Sequence, residues 1–149
     1  MKTIKIGLIG AGGNTRTRHI PGFKAIENIE LSAVANRGME SSKKIAAEFG
    51  VRNVATNWRQ IIENPDIDAV CIGTWPYMHC PITIAALENH KHVLCEARMA
   101  LNANEAHKML DVSRKNPDLI AQIVPAPHTL AIDKTIIELI GSGFIGDLI

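Results

Sequence analysis

Gly10 and Gly12 interrupt an apolar run (Ile4, Ile6, Leu8, Ile9) and lead into Gly13-Asn14-Thr15-Arg16. A run this apolar suits a strand buried on both faces. The first glycine permits a tight turn, the second lets the backbone approach a ligand, and a helix starting here carries partial positive charge at its first turn. Strand, glycine turn and helix start together are what a dinucleotide pyrophosphate requires. The third place of the Gly-x-Gly-x-x-Gly spacing is Thr15. The helix is therefore expected to pack less closely on the strand than a glycine would allow. A structural glycine turn without a ligand has the same spacing, so context must decide.

The end of the second apolar run supplies some. Folds that prefer NAD place Asp or Glu there to accept from the ribose 2′-hydroxyl, whereas this chain has Asn36 and Arg37. Arg37 can pair with a 2′-phosphate and stack on adenine, and a carboxylate would repel that phosphate. NADP is the expected cofactor. NAD stays open, because Asn36 can also hydrogen-bond a free ribose, and so does an ordinary exposed loop role for Arg37.

The remaining reactive side chains say less. Cys71, Cys80 and Cys95 form no C-x-x-C pair and lie in or beside apolar runs, so buried thiols are expected and metal ligation is not. His90 and His92 flank a strand and lack acidic or thiol partners in sequence, His107 falls on an exposed helix face, and His128 follows Pro125-Ala126-Pro127 at a strand end. His128 is a candidate for either a loop or the site. Trp75 could wall a pocket or fill core.

Elements must carry these residues to one place. Helical character after the glycines comes from Ile20, Phe23 and Ile26, with Pro21 expected to kink or shorten that helix. Residues 31–35 read as a second strand, and 40–49 as an amphipathic helix stopped by Gly50. A short strand at 53–55 precedes a helical piece at 58–63, closed by Asn64-Pro65. Residues 68–73 read as a buried strand, and Pro81 suits the first turn of a helix ending at Asn89, a residue that tolerates a left-handed cap. A strand at 92–95 follows. Asn102 and Glu105 resemble a capping box opening a helix to Lys115, with a sixth strand at 119–124 and a last helix at 131–141. Strands alternating with helices six times predict an α/β fold, a doubly wound, mainly parallel sheet of the Rossmann type. Ligands bind such sheets beyond the carboxyl ends of the strands, so residues 10–16, 36–38, 74–79 and 96–98 should line one edge.

Bulk properties exclude several classes. With 149 residues, 46% hydrophobic, 21% charged and a formal charge of +1, the chain has the size of one domain and no general attraction to nucleic acid or an anionic membrane. No apolar run reaches the ~20 residues of a membrane span. The chain enters its first strand without a signal-peptide pattern; a cytoplasmic enzyme is expected.

Three segments, G-A-G-G-N-T-R-T-R-H-I-P-G-F, I-D-A-V-C-I-G-T-W-P-Y-M-H and K-H-V-L-C-E-A-R-M-A-L-N, resemble in order and spacing the N-terminal domain of the Gfo/Idh/MocA oxidoreductases, relatives of glucose–fructose oxidoreductase and inositol dehydrogenase. The resemblance covers nearly the whole chain. It implies that Gly10, Gly12, Gly13, Asn14 and Thr15 cradle the pyrophosphate, with Arg16 adding charge. Thr74, Trp75, Pro76 and His79 match the loop beside the adenosine ribose and nicotinamide. Glu96 matches the acidic residue of a Glu-Lys-Pro motif on the nicotinamide side.

Two departures follow. The motif reads Glu96-Ala97-Arg98 here, so the family's lysine, credited with substrate binding or proton transfer, is Ala97. A methyl group can do neither, and Arg98 is a poor general acid, leaving Glu96 and Arg98 as the catalytic candidates, Arg98 as a substrate-orienting or a structural residue. The second departure is length. Family members continue into a C-terminal α/β domain that supplies proton-transfer residues, much of the substrate pocket and commonly the contacts of a homo-oligomer. Residues 1–141 are expected to be the dinucleotide-binding domain, and 142–149 the start of a crossover into a second domain outside this chain, with a free-standing domain as the alternative. The expected activity of the longer protein is hydride transfer to or from a sugar, polyol or related hydroxyl or carbonyl compound; this chain alone is expected to be inactive. A non-catalytic dinucleotide-binding regulator and an NAD-dependent glycoside hydrolase-like enzyme are the rival readings.

Overall fold

The computed structural model describes residues 2–124, 132–144 and 146. Six strands form one parallel sheet: β1 (Ile4–Ile9), β2 (Ile29–Ala35), β3 (Asn53–Val54), β4 (Ala69–Ile72), β5 (His92–Cys95) and β6 (Ala121–Ile123). Their order across the sheet is β3-β2-β1-β4-β5-β6. The chain builds outward from β1 in one direction, then returns to β4 and builds in the other, so the switch point lies between the carboxyl ends of β1 and β4.

Helices cover both faces because neighbouring residues of a strand point opposite ways. Leu8 and Cys71 bury in a cluster with Ile20, Ile45 and Ala46, from α1 (Ile20–Lys24) and α2 (Met39–Phe49). Ile9, Val70 and Ile72 bury in another with Ile61, Ile82, Leu87 and Met109, from α3 (Trp58–Ile62), α4 (His79–Glu88) and α5 (Ala103–Lys115). Two filled faces explain why the central strands read as continuous apolar runs.

Local signals largely hold. Gly50 closes α2 with a φ of 71°. Asn102 caps α5 by accepting from the Glu105 amide at 3.0 Å, while Glu105 Oε2 accepts from the Leu101 amide at 2.9 Å, one residue earlier than in a capping box. Asn89 differs: it keeps a φ of −98°, and the left-handed residue is His90 at 58°. The Asn89 side chain instead donates to the Ala85 carbonyl at 2.9 Å. Pro21 acts by widening: Thr15–His19 forms a π-helical turn, with the Ile20 amide bonded to Thr15 O, and α1 ends at Lys24. Pro21 has no N–H and crowds the carbonyl four residues back, and the wide turn just before it makes room. Ile26 falls outside the helix and is exposed. Residues 125–131, His128 among them, lie outside the described residues, and α6 is described over Asp133–Gly141.

Candidate dinucleotide site

The glycine turn sits at the carboxyl end of β1. Gly10 has a φ of 82°, and a Cβ there would lie 2.6 Å from the Thr74 amide nitrogen, so only glycine fits. Packing makes no such demand at the next two glycines. A Cβ on Gly12 would meet nothing closer than 4.0 Å, and one on Gly13 nothing within 4 Å. Their bare backbone faces open space, which is the access a pyrophosphate needs, and the first helical turn cannot satisfy its own amides.

Thr15 does not loosen the turn as expected. It is 1% exposed, its Oγ1 donates to the Gly10 carbonyl at 3.3 Å, and it lies against Gly73, where a Cβ would sit 2.1 Å from Oγ1. The glycine permitting close approach is on the β4 side of the contact. The Thr15 hydroxyl thus supports the turn from within rather than facing the cleft.

At the end of β2, Asn36 accepts from the Ala11 amide at 2.7 Å and donates to Ser41 Oγ at 2.8 Å, while its own amide donates to Ser42 Oγ at 2.8 Å. Its carboxamide joins the glycine turn to the start of α2. Arg37 is exposed and has no hydrogen bond or ion pair to the described residues; it lines a cleft of about 490 Å³ together with Gly10, Gly12, Ser41, Trp58 and Trp75. Arg16 points elsewhere: its Nε and Nη2 bond Glu48 Oε1 at 2.9 and 2.7 Å. Its charge is offset by α2. Ser41 was absent from the sequence expectations; its signal is a hydroxyl in the first turn of the helix that follows Arg37.

The β4 loop forms the opposite wall. Trp75 is 72% exposed and lines the cleft, so it is wall and not core, and Pro76 starts a short 3₁₀ turn beside exposed Tyr77. Thr74 lines the same cleft. His79 is fully buried, with Nδ1 2.7 Å from the Arg98 carbonyl and Nε2 2.9 Å from the Thr74 carbonyl. Both ring nitrogens serve to tie the β4 loop to the segment after β5, so His79 shapes the wall without facing it.

Glu96 follows β5. Asn14 Nδ2 donates to its Oε1, and His19 Nε2 bonds the same oxygen. Ala97 and Arg98 are exposed, and the Arg98 side chain has no partner among the described residues. The two catalytic candidates thus differ: one carboxylate is held from two sides, and one guanidinium is without a partner among the described residues. His19 was missed because a period of 3.6 residues does not place it under Asn14; the π turn, with its wider spacing, does.

Other reactive groups are quiet. Burial pushes the Cys71 and Cys95 thiols up to about 12, so both stay protonated near neutral pH and are poor nucleophiles. All three cysteines are free and buried. His107 and His90 are exposed, and His92 Nδ1 accepts from the Ile120 amide at 3.0 Å. Among the described residues no group of three or more His, Cys, Asp or Glu could hold a metal ion, and no helix is long and apolar enough to cross a membrane.

Known proteins resemble this chain in sequence and fold. Residues 4–122 match the model of the Gfo/Idh/MocA oxidoreductase family, described by its NAD-binding Rossmann fold. A levoglucosan dehydrogenase from Pseudarthrobacter phenanthrenivorans is 34% identical over 78% of this chain and 32% of its own length. A dTDP-3,4-didehydro-2,6-dideoxy-alpha-D-glucose 3-reductase from Streptomyces violaceoruber is 30% identical over 99% of this chain and 43% of its own. The crystal structure of myo-inositol 2-dehydrogenase from Lactobacillus plantarum superposes with a TM-score of 0.80 at 26% identity, covering 99% of this chain and 44% of that one. The chain therefore spans less than half the length of the relatives it matches.

Proposed function

This chain belongs to the Gfo/Idh/MocA oxidoreductase family, and from that premise we propose that it is an NADP(H)-preferring dinucleotide-binding domain. The longer protein would move hydride between nicotinamide and a sugar, polyol or related hydroxyl or carbonyl compound. What carries the reading is one cleft that joins an open glycine turn to an arginine unpaired among the described residues. Gly12 and Gly13 leave space for the pyrophosphate. Arg37 and the Ser41 hydroxyl stand together where the adenosine ribose would lie, and the strand-end residue Asn36 brings no carboxylate to repel a 2′-phosphate.

The cofactor, when bound, supplies the hydride; the chain's residues bind and orient it. Gly12, Gly13 and the amides of the following turn would take the pyrophosphate. Arg37 and Ser41 would take the ribose 2′ substituent, and Thr74, Trp75 and Pro76 would form the facing wall. Thr15, Asn36 and His79 hold these pieces in place through their internal bonds. Arg16 contributes through α2. The sugar-like substrate class rests on the relatives that act on levoglucosan, inositol and a dTDP-sugar. This chain alone is proposed to bind cofactor without turnover, and the longer protein to assemble as a homo-oligomer.

Parallel thermal-shift titrations with NADPH and NADH test the reading. Saturation at about 100 times the dissociation constant should stabilise the chain by about 2.7 kcal/mol, a shift of several degrees. NADPH is expected to bind more tightly than NADH, and Arg37→Ala should remove that preference while leaving NADH binding in place. No shift with either nucleotide would overturn the dinucleotide reading. Equal affinity in the parent and in Arg37→Ala would overturn only the NADP preference.

A further inference from the structure

Both tryptophans of this chain and its one tyrosine line a single cleft, the one that also holds Gly12 and Arg37. Trp58 comes from the start of α3, while Trp75 and Tyr77 come from the loop after β4. Trp75 and Tyr77 are 72% and 53% exposed, and large rings left this open are an informative exception on a protein surface. Trp58 differs. It is half-buried, packs against the core as Ala55 and Met78 do, and carries the Arg59 guanidinium 4.3 Å from its ring centroid. One ring is thus a fixed end wall and the other an open platform.

The polar side chains at this end of the cleft are bonded to one another. The Thr56 amide and Oγ1 both donate to Gln60 Oε1, at 2.8 and 3.0 Å. Asn57 Oδ1 accepts from the Arg59 and Gln60 amides at 2.9 and 3.3 Å, and Asn57 Nδ2 donates to Thr56 Oγ1 at 3.4 Å. Across the cleft, Thr74 Oγ1 donates to the Trp75 carbonyl at 3.3 Å. The Tyr77 hydroxyl has no partner among the described residues, but a hydroxyl rotates to donate or accept alike. The donors left for a ligand sit at the β2 side of the cleft. Arg37 is unpaired among the described residues, and Ser41 Oγ accepts from Asn36 Nδ2, which leaves its own proton to donate.

Resting on the dinucleotide reading above, we propose that Trp75 and Trp58 form a base subsite that holds the purine by ring contact alone. Trp75 is the stacking platform and Trp58 the end wall. Every base has a π-face, so stacking tolerates a change of base. A site that hydrogen-bonds one particular edge instead rejects the analogue that cannot match it. The cleft therefore selects at the ribose 2′ position, through Arg37 and Ser41, and not at the purine edge.

The test compares the dissociation constants of this chain for NADH and for reduced nicotinamide hypoxanthine dinucleotide, measured by calorimetry. Hypoxanthine has a carbonyl in place of adenine's amino group and an N–H in place of its neighbouring bare ring nitrogen. Both hydrogen-bond roles on that edge invert while the ring face is kept. The two affinities should agree within about fivefold; a larger loss with hypoxanthine would overturn the base-tolerant subsite. Trp75→Ala should weaken both dinucleotides by about tenfold, and Trp75→Phe should keep most of the affinity. On the parent, the two indole N–H signals should both move with AMP and stay in place with nicotinamide mononucleotide, a readout that needs no variant to fold. AMP leaving either signal unmoved, nicotinamide mononucleotide moving them instead, or Trp75→Ala binding as the parent does would overturn the subsite and leave the dinucleotide reading intact. Failure of both NADH and NADPH to bind would overturn both.

Discussion

Asn36 illustrates how a residue at the edge of a cleft can brace the elements around it. Its position at the end of β2 suggests a ribose ligand; its carboxamide is engaged by the Ala11 amide and the Ser41 hydroxyl, so it joins the glycine turn to the start of α2. Thr15 and His79 behave alike: both lie in matched motifs, and both turn inward to hold backbone. Asp68 shows the same at the opposite edge of the sheet. Its Oδ1 accepts from Lys2 Nζ at 2.7 Å and its Oδ2 from the Lys5 amide at 2.8 Å, pinning the start of β1 beside β4. Those two donors, Lys2 first, hold its carboxyl below the usual value of 3.8. A lowered carboxyl contributes stability that is present above its unfolded value and lost as pH falls through the folded one. Asp68→Asn should therefore cost about 1 kcal/mol at neutral pH. In urea unfolding the gap to the parent should close as pH falls below about 4. A gap of equal size under both conditions would show that the carboxylate charge is not its source.

At the scale of elements, the strand and helix alternation is legible because each face of the sheet must be covered, and covering it imposes apolar patterning on every element. The distortion before Pro21 is legible in kind, since a proline within a helix removes a donor, but its form is not. A kink and a π turn both relieve Pro21, and packing of Ile20 against the sheet accompanies the wide turn found here. The contact of the first helix with the β4 end is invisible locally, because Thr15 and Gly73 are far apart in sequence. It yields a sharp expectation: in Gly73→Ala the new methyl would meet Thr15 Oγ1 at 2.1 Å and the Gly10 carbonyl at 2.6 Å. Since one of those atoms is backbone, the glycine turn must shift. Thermal unfolding should show a loss of about 1–3 kcal/mol, accompanied by weakened NADPH binding. Adding Thr15→Ala should restore part of the stability but not the affinity, since the Gly10 contact remains; unchanged stability in Gly73→Ala would contradict this packing.

The whole molecule carries apolar surface that the sheet does not use. Ile132, Ile136, Ile137, Ile140 and Phe144 are exposed along α6 and its flanks, a patch of the kind that drives association. Ile137, 69% exposed, is the test position: Ile137→Glu should reduce self-association of this chain in light scattering at high concentration without changing its unfolding midpoint by more than about half a kcal/mol. A lowered midpoint would mean that the residue packs against its own domain. By itself the sequence determined the parallel doubly wound fold, the glycine turn, the buried cysteines and the set of loops lining one edge. All of these follow from local periodicity, backbone freedom at glycine and the need to bury strands on both faces. Only the tertiary structure decided which motif residues face the cleft and which brace it, and that His19 reaches Glu96. Those outcomes depend on which strands are neighbours and how far one turn is wound, and both are set by packing between residues distant in the chain.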